Sequence, residues 1–155
     1  MKTKLFFSTI LFCIASSCQA QHTFNNGDKW IPQNFNPSTG SLLVMKLEEG
    51  DKKEGKRNEQ MEEYLKEKYT YQFAFATKDE IENSKGAYAD VKKFPFALMV
   101  KHFYESHPPY GLYSVYDFYF VDRATNTEFP LTKKTTSNPV LLFKPVINTI
   151  LERFK

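Results

Sequence analysis

The only two cysteines of this 155-residue chain, Cys13 and Cys18, both lie near its beginning, so nothing after position 18 can be stapled by a disulfide. Whatever the rest folds into must be held by packing. Material for that packing is plentiful and aromatic, with 15 Phe, 9 Tyr and 1 Trp, of which only Phe6, Phe7 and Phe12 lie in the opening stretch. Much of that aromatic excess must be core. A body of this length makes one domain and buries about two-thirds of its unfolded surface.

The opening stretch reads as an export signal. Met1 to Lys4 is a short basic start, Leu5 to Ala15 an almost unbroken apolar run, and Ser16 to Gln21 a small-residue exit. Two cuts fit it. Ala15-Ser16-Ser17-Cys18 resembles a bacterial lipobox, in which cleavage precedes Cys18 and the acylated thiol tethers the protein to a membrane. Ala20-Gln21 is an ordinary signal-peptidase junction, which would free a secreted or periplasmic protein. The apolar run is too short to span a bilayer itself. Residues 1–20 are accordingly set aside as signal, 21–40 as an extended polar lead-in anchored by Trp30, Ile31 and Phe35, and 41–155 as a single domain. Lys2 and Lys4 supply two of the three net positive charges, so the body is nearly neutral and offers no footprint for nucleic acid.

Along the body, Ser41 to Leu47 is a dense apolar run of the kind that makes an inner strand. Glu48 to Arg57 reads as a flexible charged loop. Asn58 would then cap a helix to about Lys68, with Met61, Tyr64, Leu65 and Tyr69 on one stripe. Thr70 to Ala76 alternates as a second strand, completing a βαβ unit with parallel strands. Thr77 and Glu80 match a capping box for a short helix carrying Ile81, which Gly86 ends. Phe94 to Phe103 is a third strand opened by Pro95, and Tyr113 to Val121 a fourth with apolar residues on both faces. A turn through Asn126 returns the chain along Glu128 to Leu131. Asn138 and Pro139 open a last helix, in which Pro145 either sits as a kink or marks the start of a shorter helix to 154. The order β-α-β-α-β-β-β-α predicts an α/β (α+β) domain with a mixed five-stranded sheet and helices packed on it. A thioredoxin-like arrangement is the alternative, because Pro95 lies where that fold keeps a proline before its third strand. The loop after the first strand has no cysteine, so such a domain would be a redox-inactive scaffold.

The chemical motifs are decoys. Gly50 to Lys56 satisfies the glycine and lysine spacing of a phosphate-binding loop, but Arg57 replaces the hydroxyl that would hold magnesium. Asp51 and Glu54 also put carboxylates where phosphate would lie, so no nucleotide is expected. A solvated charged loop explains the run better, with weak anion capture by Lys52, Lys53, Lys56 and Arg57 the lesser reading. His22, His102 and His107 lack metal-ligand spacing, and no cofactor or metal is expected. Asp117 stands among aromatics and calls for a partner such as Arg123 or a neighbouring lysine. No serine or cysteine nucleophile motif occurs.

Tyr104, Tyr110, Tyr113 and Tyr116 around Pro108-Pro109 form the candidate stacking surface for a protein or glycan partner. The leading expectation is therefore an exported cell-envelope protein of the binding-module type, non-enzymatic and either lipid-anchored through Cys18 or secreted. An exported hydrolase with a dispersed site, drawn from Asp117, His102 and His107, is its rival from another class.

Overall fold

The computed structural model describes residues 29–48, 52–109, 111–131 and 135–155; the expected signal, Cys18, His22 and Tyr110 lie outside them. The elements are β1 (Leu42–Met45), α1 (Lys52–Lys68), β2 (Phe73–Ala76), α2 (Lys78–Glu82), a 3-10 turn (Gly86–Tyr88), β3 (Phe96–His107), β4 (Gly111–Asp122), β5 (Thr127–Pro130) and α3 (Pro139–Arg153). The sheet runs β2-β1-β3-β4-β5. β1 is parallel to both β2 and β3, whereas β3-β4 and β4-β5 are antiparallel. This is the single α+β domain with a mixed five-stranded sheet that the order of elements predicts.

Handedness then places the helices. The chain leaves β1 for β2 on one side and returns past β1 to β3 on the other, and right-handed crossovers put α1 and α2 on opposite faces of the sheet. α3 joins α1: the Tyr64 hydroxyl donates to Asn148 Oδ1 at 2.7 Å, and Phe143 of α3 meets Phe118 of β4 with ring centroids 5.8 Å apart. Leu98, Phe118, Phe120, Met61, Leu65, Val146, Ile147 and Ile150 are fully buried between them. The other face is covered over its inner half by α2, where Ile81 lies beside Met99, Tyr119 and Val121. Both faces of the central strands are therefore dry, which is why β3 and β4 read as apolar on both sides.

Three expectations are corrected. Residues 29–40 cross the core in turns rather than as an extended lead-in. Phe35 lies edge-on to Phe96 at 5.2 Å and to Phe154 at 5.5 Å, so the core begins ahead of residue 41. α1 starts at Lys52, which makes half of the expected charged loop helical. Glu54 in its first turn pairs with Arg57 one turn on, at 2.9 Å. Asn58 is inside the helix instead of capping it, and its amide clamps Leu47, accepting from the backbone N–H at 2.8 Å and donating to the carbonyl at 3.0 Å. The Phe94–Pro95 bond is trans, the sole cis peptide among the described residues being Pro108–Pro109.

Local signals hold elsewhere. Thr77 and Glu80 form the reciprocal capping box, Asn126 takes the left-handed conformation, and Asn138 accepts from the Val140 amide ahead of Pro139. α3 runs unbroken through Pro145. The carbonyl deprived of its donor is that of Leu141, whose side chain faces solvent, so water can replace the missing bond.

Gly40 marks a close approach, for a Cβ built there would stand 2.9 Å from Pro95 Cδ. Pro95 is a rigid ring at the head of β3, so the strain cannot be relieved by a rotamer change. Gly40→Ala is expected to cost about 1–3 kcal/mol, read as a lower denaturation midpoint at unchanged m value.

Candidate functional site

β3 and β4 outrun their neighbours. β1 pairs only with Phe96 to Leu98, and β5 with Tyr119 to Asp122 followed by a single bridge from Tyr116 to Thr136, so beyond that bridge the hairpin projects as a two-stranded arm. The exposed large apolar side chains of the described residues gather on that arm: Phe103 at 37%, Tyr104 at 65%, Leu112 at 70% and Tyr113 at 36% exposure, with only Leu141 elsewhere. Alternation assigns Tyr104 and Leu112 to the face that α1 and α3 cover further in, and Phe103 and Tyr113 to the other.

A cleft of about 700 Å³ opens where the arm leaves the sheet. Its walls are the segment after β1 at Leu47 and Glu48, Glu54 of α1, and Val100, His102 and Tyr104 along β3. Tyr116 forms its floor and is almost wholly buried, at 2% exposure. The Tyr116 hydroxyl donates to Glu54 Oε1 at 2.7 Å, and Arg57 Nη1 donates to the same oxygen at 2.9 Å and to the hydroxyl at 3.2 Å. Arg57 Nη2 reaches the Ser137 carbonyl at 3.3 Å. Burial, reinforced by the bond to the Glu54 carboxylate, pushes the Tyr116 phenol up to about 12. The opposite oxygen of Glu54, Oε2, is buried with no hydrogen-bond partner. Over the Tyr116 ring lies His102, stacked at 4.6 Å and nearly parallel, and its Nε2 is 3.1 Å from Ser114 Oγ.

The candidate tyrosines thus divide. Tyr104 and Tyr113 are exposed on the arm, on opposite faces, whereas Tyr116 is a buried floor residue and contributes no open stacking face; Tyr110 is outside the described residues. What the sequence could not show is the set Glu54, Arg57 and Tyr116, because its members are 59 and 62 positions apart and meet only through the sheet register. By residue type Glu54 and Arg57 read as part of a charged loop. Arg57, offered as an anion ligand, is instead turned inward.

The dispersed hydrolase set does not assemble as expected. Asp117 sits on the face opposite to His102, and its Oδ1 is buried without a partner. Neither expected cation holds it. Arg123 binds backbone carbonyls, and Lys101 is drawn to Glu128 at 2.8 Å and over the Tyr119 ring at 4.3 Å. His107 ends β3, and among the described residues no three His, Cys, Asp or Glu side chains come together as a metal set. Burial raises the Asp117 carboxyl above its usual range, partly offset by the Phe118 amide and the Lys101 charge. A raised acid favours the fold while protonated, so its contribution is lost as pH rises from the ordinary Asp value through the elevated one. Asp117→Asn is expected to raise thermal stability at pH 7 and to leave it unchanged near pH 3. The gain stays below about 1 kcal/mol, because the group is half open to solvent.

Compared with known proteins, the chain matches no protein-family model and no curated relative. No helix among the described residues is long and apolar enough to cross a membrane.

Proposed function

We propose that this chain is an exported cell-envelope binding module without catalytic activity, and that it engages a polypeptide or glycan partner through the cleft and the β3-β4 arm. The observation that carries the reading is the concentration of exposed apolar side chains on one projecting hairpin beside a 700 Å³ cleft. A cluster of such side chains left in water marks an interaction surface, and a patch beside a concave site is where a partner would cover it. Signal removal before Cys18 with acylation, or after Ala20 without it, would deliver the domain outside the cytoplasm, with residues 21–28 as the link to the first described turn.

Two measurements test this. The intact mass of the mature protein from membrane and soluble fractions distinguishes an acylated Cys18 from an unmodified Gln21 start; recovery of the full-length chain from the cytosol would defeat export altogether. For binding, amide shift changes on titration with peptide and oligosaccharide libraries should map to His102, Tyr104 and the segment after β1. Tyr104→Ala should weaken whichever ligand responds about tenfold, as truncation of an aromatic anchor does. Titrations that leave those amides unmoved would defeat the binding reading.

One contact favours the rival class: Ser114 Oγ and His102 Nε2 are within hydrogen-bond reach in the cleft. Among the described residues no carboxylate orients the imidazole, and its ring is engaged by Tyr116 rather than by an acid. Turnover of 4-nitrophenyl acetate by the protein, abolished in Ser114→Ala, would establish the hydrolase reading in its place.

A further inference from the structure

We propose that the outer flank of β3 receives an extended basic peptide as an added strand, an inference that rests on the binding-module reading and gives its partner a chemistry. The direction of the backbone carries it. Tyr116 and Thr136 exchange both backbone bonds, at 2.7 and 3.0 Å, so Tyr116 turns its N–H and C=O away from β3. Residues directly opposite one another in an antiparallel pair turn the same way relative to their ladder. His102, opposite Tyr116, therefore turns both groups to the far flank of β3, and Tyr104 does so one repeat later.

That flank is where β1 would have to continue, and β1 leaves it. Its pairing with β3 stops at Leu98. Lys46 then donates to the Ala76 carbonyl at 2.9 Å, and both backbone groups of Leu47 are taken by Asn58. Among the described residues no strand lies along β3 at His102 and Tyr104. A strand edge left this way is a template for strand addition unless a charge or a proline guards it. Lys101 is the natural guard, yet Glu128 and Tyr119 hold it on the opposite face.

Charge selects the occupant. Of the two lysines on the cleft wall, Lys78 is matched by Glu82 at 4.0 Å and Lys101 by Glu128 at 2.8 Å. Glu54 is answered by Arg57, so Glu48 is the carboxylate of the wall left without a cation among the described residues, and it gives the wall a net negative charge. Tyr104 adds an exposed ring on which a guanidinium can lie. A second copy of this chain, paired edge to edge, would instead bring Glu48 against another negative cleft wall. A peptide with arginine at alternate positions satisfies the backbone, Glu48 and the ring together, since alternate side chains of a strand share one face.

The test uses the isotope-labelled protein and blocked nonapeptides alternating threonine with arginine or with glutamate. The arginine peptide is expected to slow hydrogen exchange at the His102 and Tyr104 amides at least tenfold. Its glutamate counterpart should not. N-methylation of every second residue should abolish the effect in one phase only, because a single edge of the peptide faces β3. Glu48→Gln, an exposed change, should weaken binding several-fold without altering the fold. Equal protection by both peptides, protection absent, or edge-to-edge dimerisation in sedimentation would overturn strand addition. An oligosaccharide that shifts Tyr104 without slowing these amides would overturn it too, while leaving the binding-module reading standing; a cleft silent to every probe would end both.

Discussion

Tyr116→Ala is expected to destabilise the protein by about 3–5 kcal/mol, enough to unfold a large fraction of an ordinary domain of this size at 37 °C. The ring is nearly buried and stacked on His102, so truncation loses its transfer energy and opens a void under the cleft. The hydroxyl adds a second part. It joins Glu54 of α1 to β4 while Arg57 reaches on to Ser137, so one phenol links the first turn of α1, β4 and the lead into α3. Tyr116→Phe separates the two parts. It keeps the ring, leaves the Glu54–Arg57 ion pair in place, and should cost only about 1–2 kcal/mol in urea unfolding. Alkaline titration checks the assignment. The phenol's elevated value favours the folded state while it is protonated, and that advantage disappears as pH climbs from the ordinary tyrosine range to about 12. The Phe variant should lack this component of alkaline destabilisation.

Which parts of this were legible follows from how far each interaction reaches along the chain. Strands, caps and turns depend on neighbours within four residues, and Thr77 with Glu80, Asn138 with Pro139, and Asn126 in its turn all do what their spacing implies. The start of α1 is hidden in the sequence because Gly55 and a dense mixture of charges resemble a loop. Their stabilising contacts, Glu54 to Tyr116 and Arg57 to Ser137, come from sixty to eighty residues away. Asn58 misled for a related reason: an Asn ahead of an apolar stripe has the chemistry of a cap, and only the approach of Leu47 turns it into a clamp. The arm was hidden differently. Its aromatics look like any core strand, and their exposure depends on β1 and β5 being four residues long beside partners of twelve, a mismatch invisible to residue type.

Arg123 supplies the second large effect, at the opposite end of β4. Sequence proximity suggested that it would neutralise Asp117, but six residues of strand separate them by roughly 20 Å. Its guanidinium serves the backbone instead. Nη1 donates to the Phe94 carbonyl at 2.7 Å, and Nη2 to the Tyr88 carbonyl at 2.8 Å and to Ser84 Oγ at 3.1 Å, while its own amide donates to the Pro95 carbonyl at 2.9 Å. One side chain thereby fastens the irregular stretch between α2 and β3 to the sheet. Arg123→Met preserves the apolar stem and removes every guanidinium bond, leaving the carbonyl of buried Phe94 unanswered; the expected loss is about 2–3 kcal/mol. Arg123→Lys should recover only part of it, since a single ammonium cannot fork between two carbonyls as a guanidinium does. Hydrogen exchange locates the damage: amides from Ser84 to Phe94 should open faster, whereas His102 and Tyr104 keep their wild-type rates. Because the two anchors share no partner, the Tyr116→Phe and Arg123→Met losses should add to within about 0.5 kcal/mol. A larger interaction term would mean that the cleft and the α2 side of the sheet are mechanically coupled, and that a ligand on β3 could be felt at Arg123.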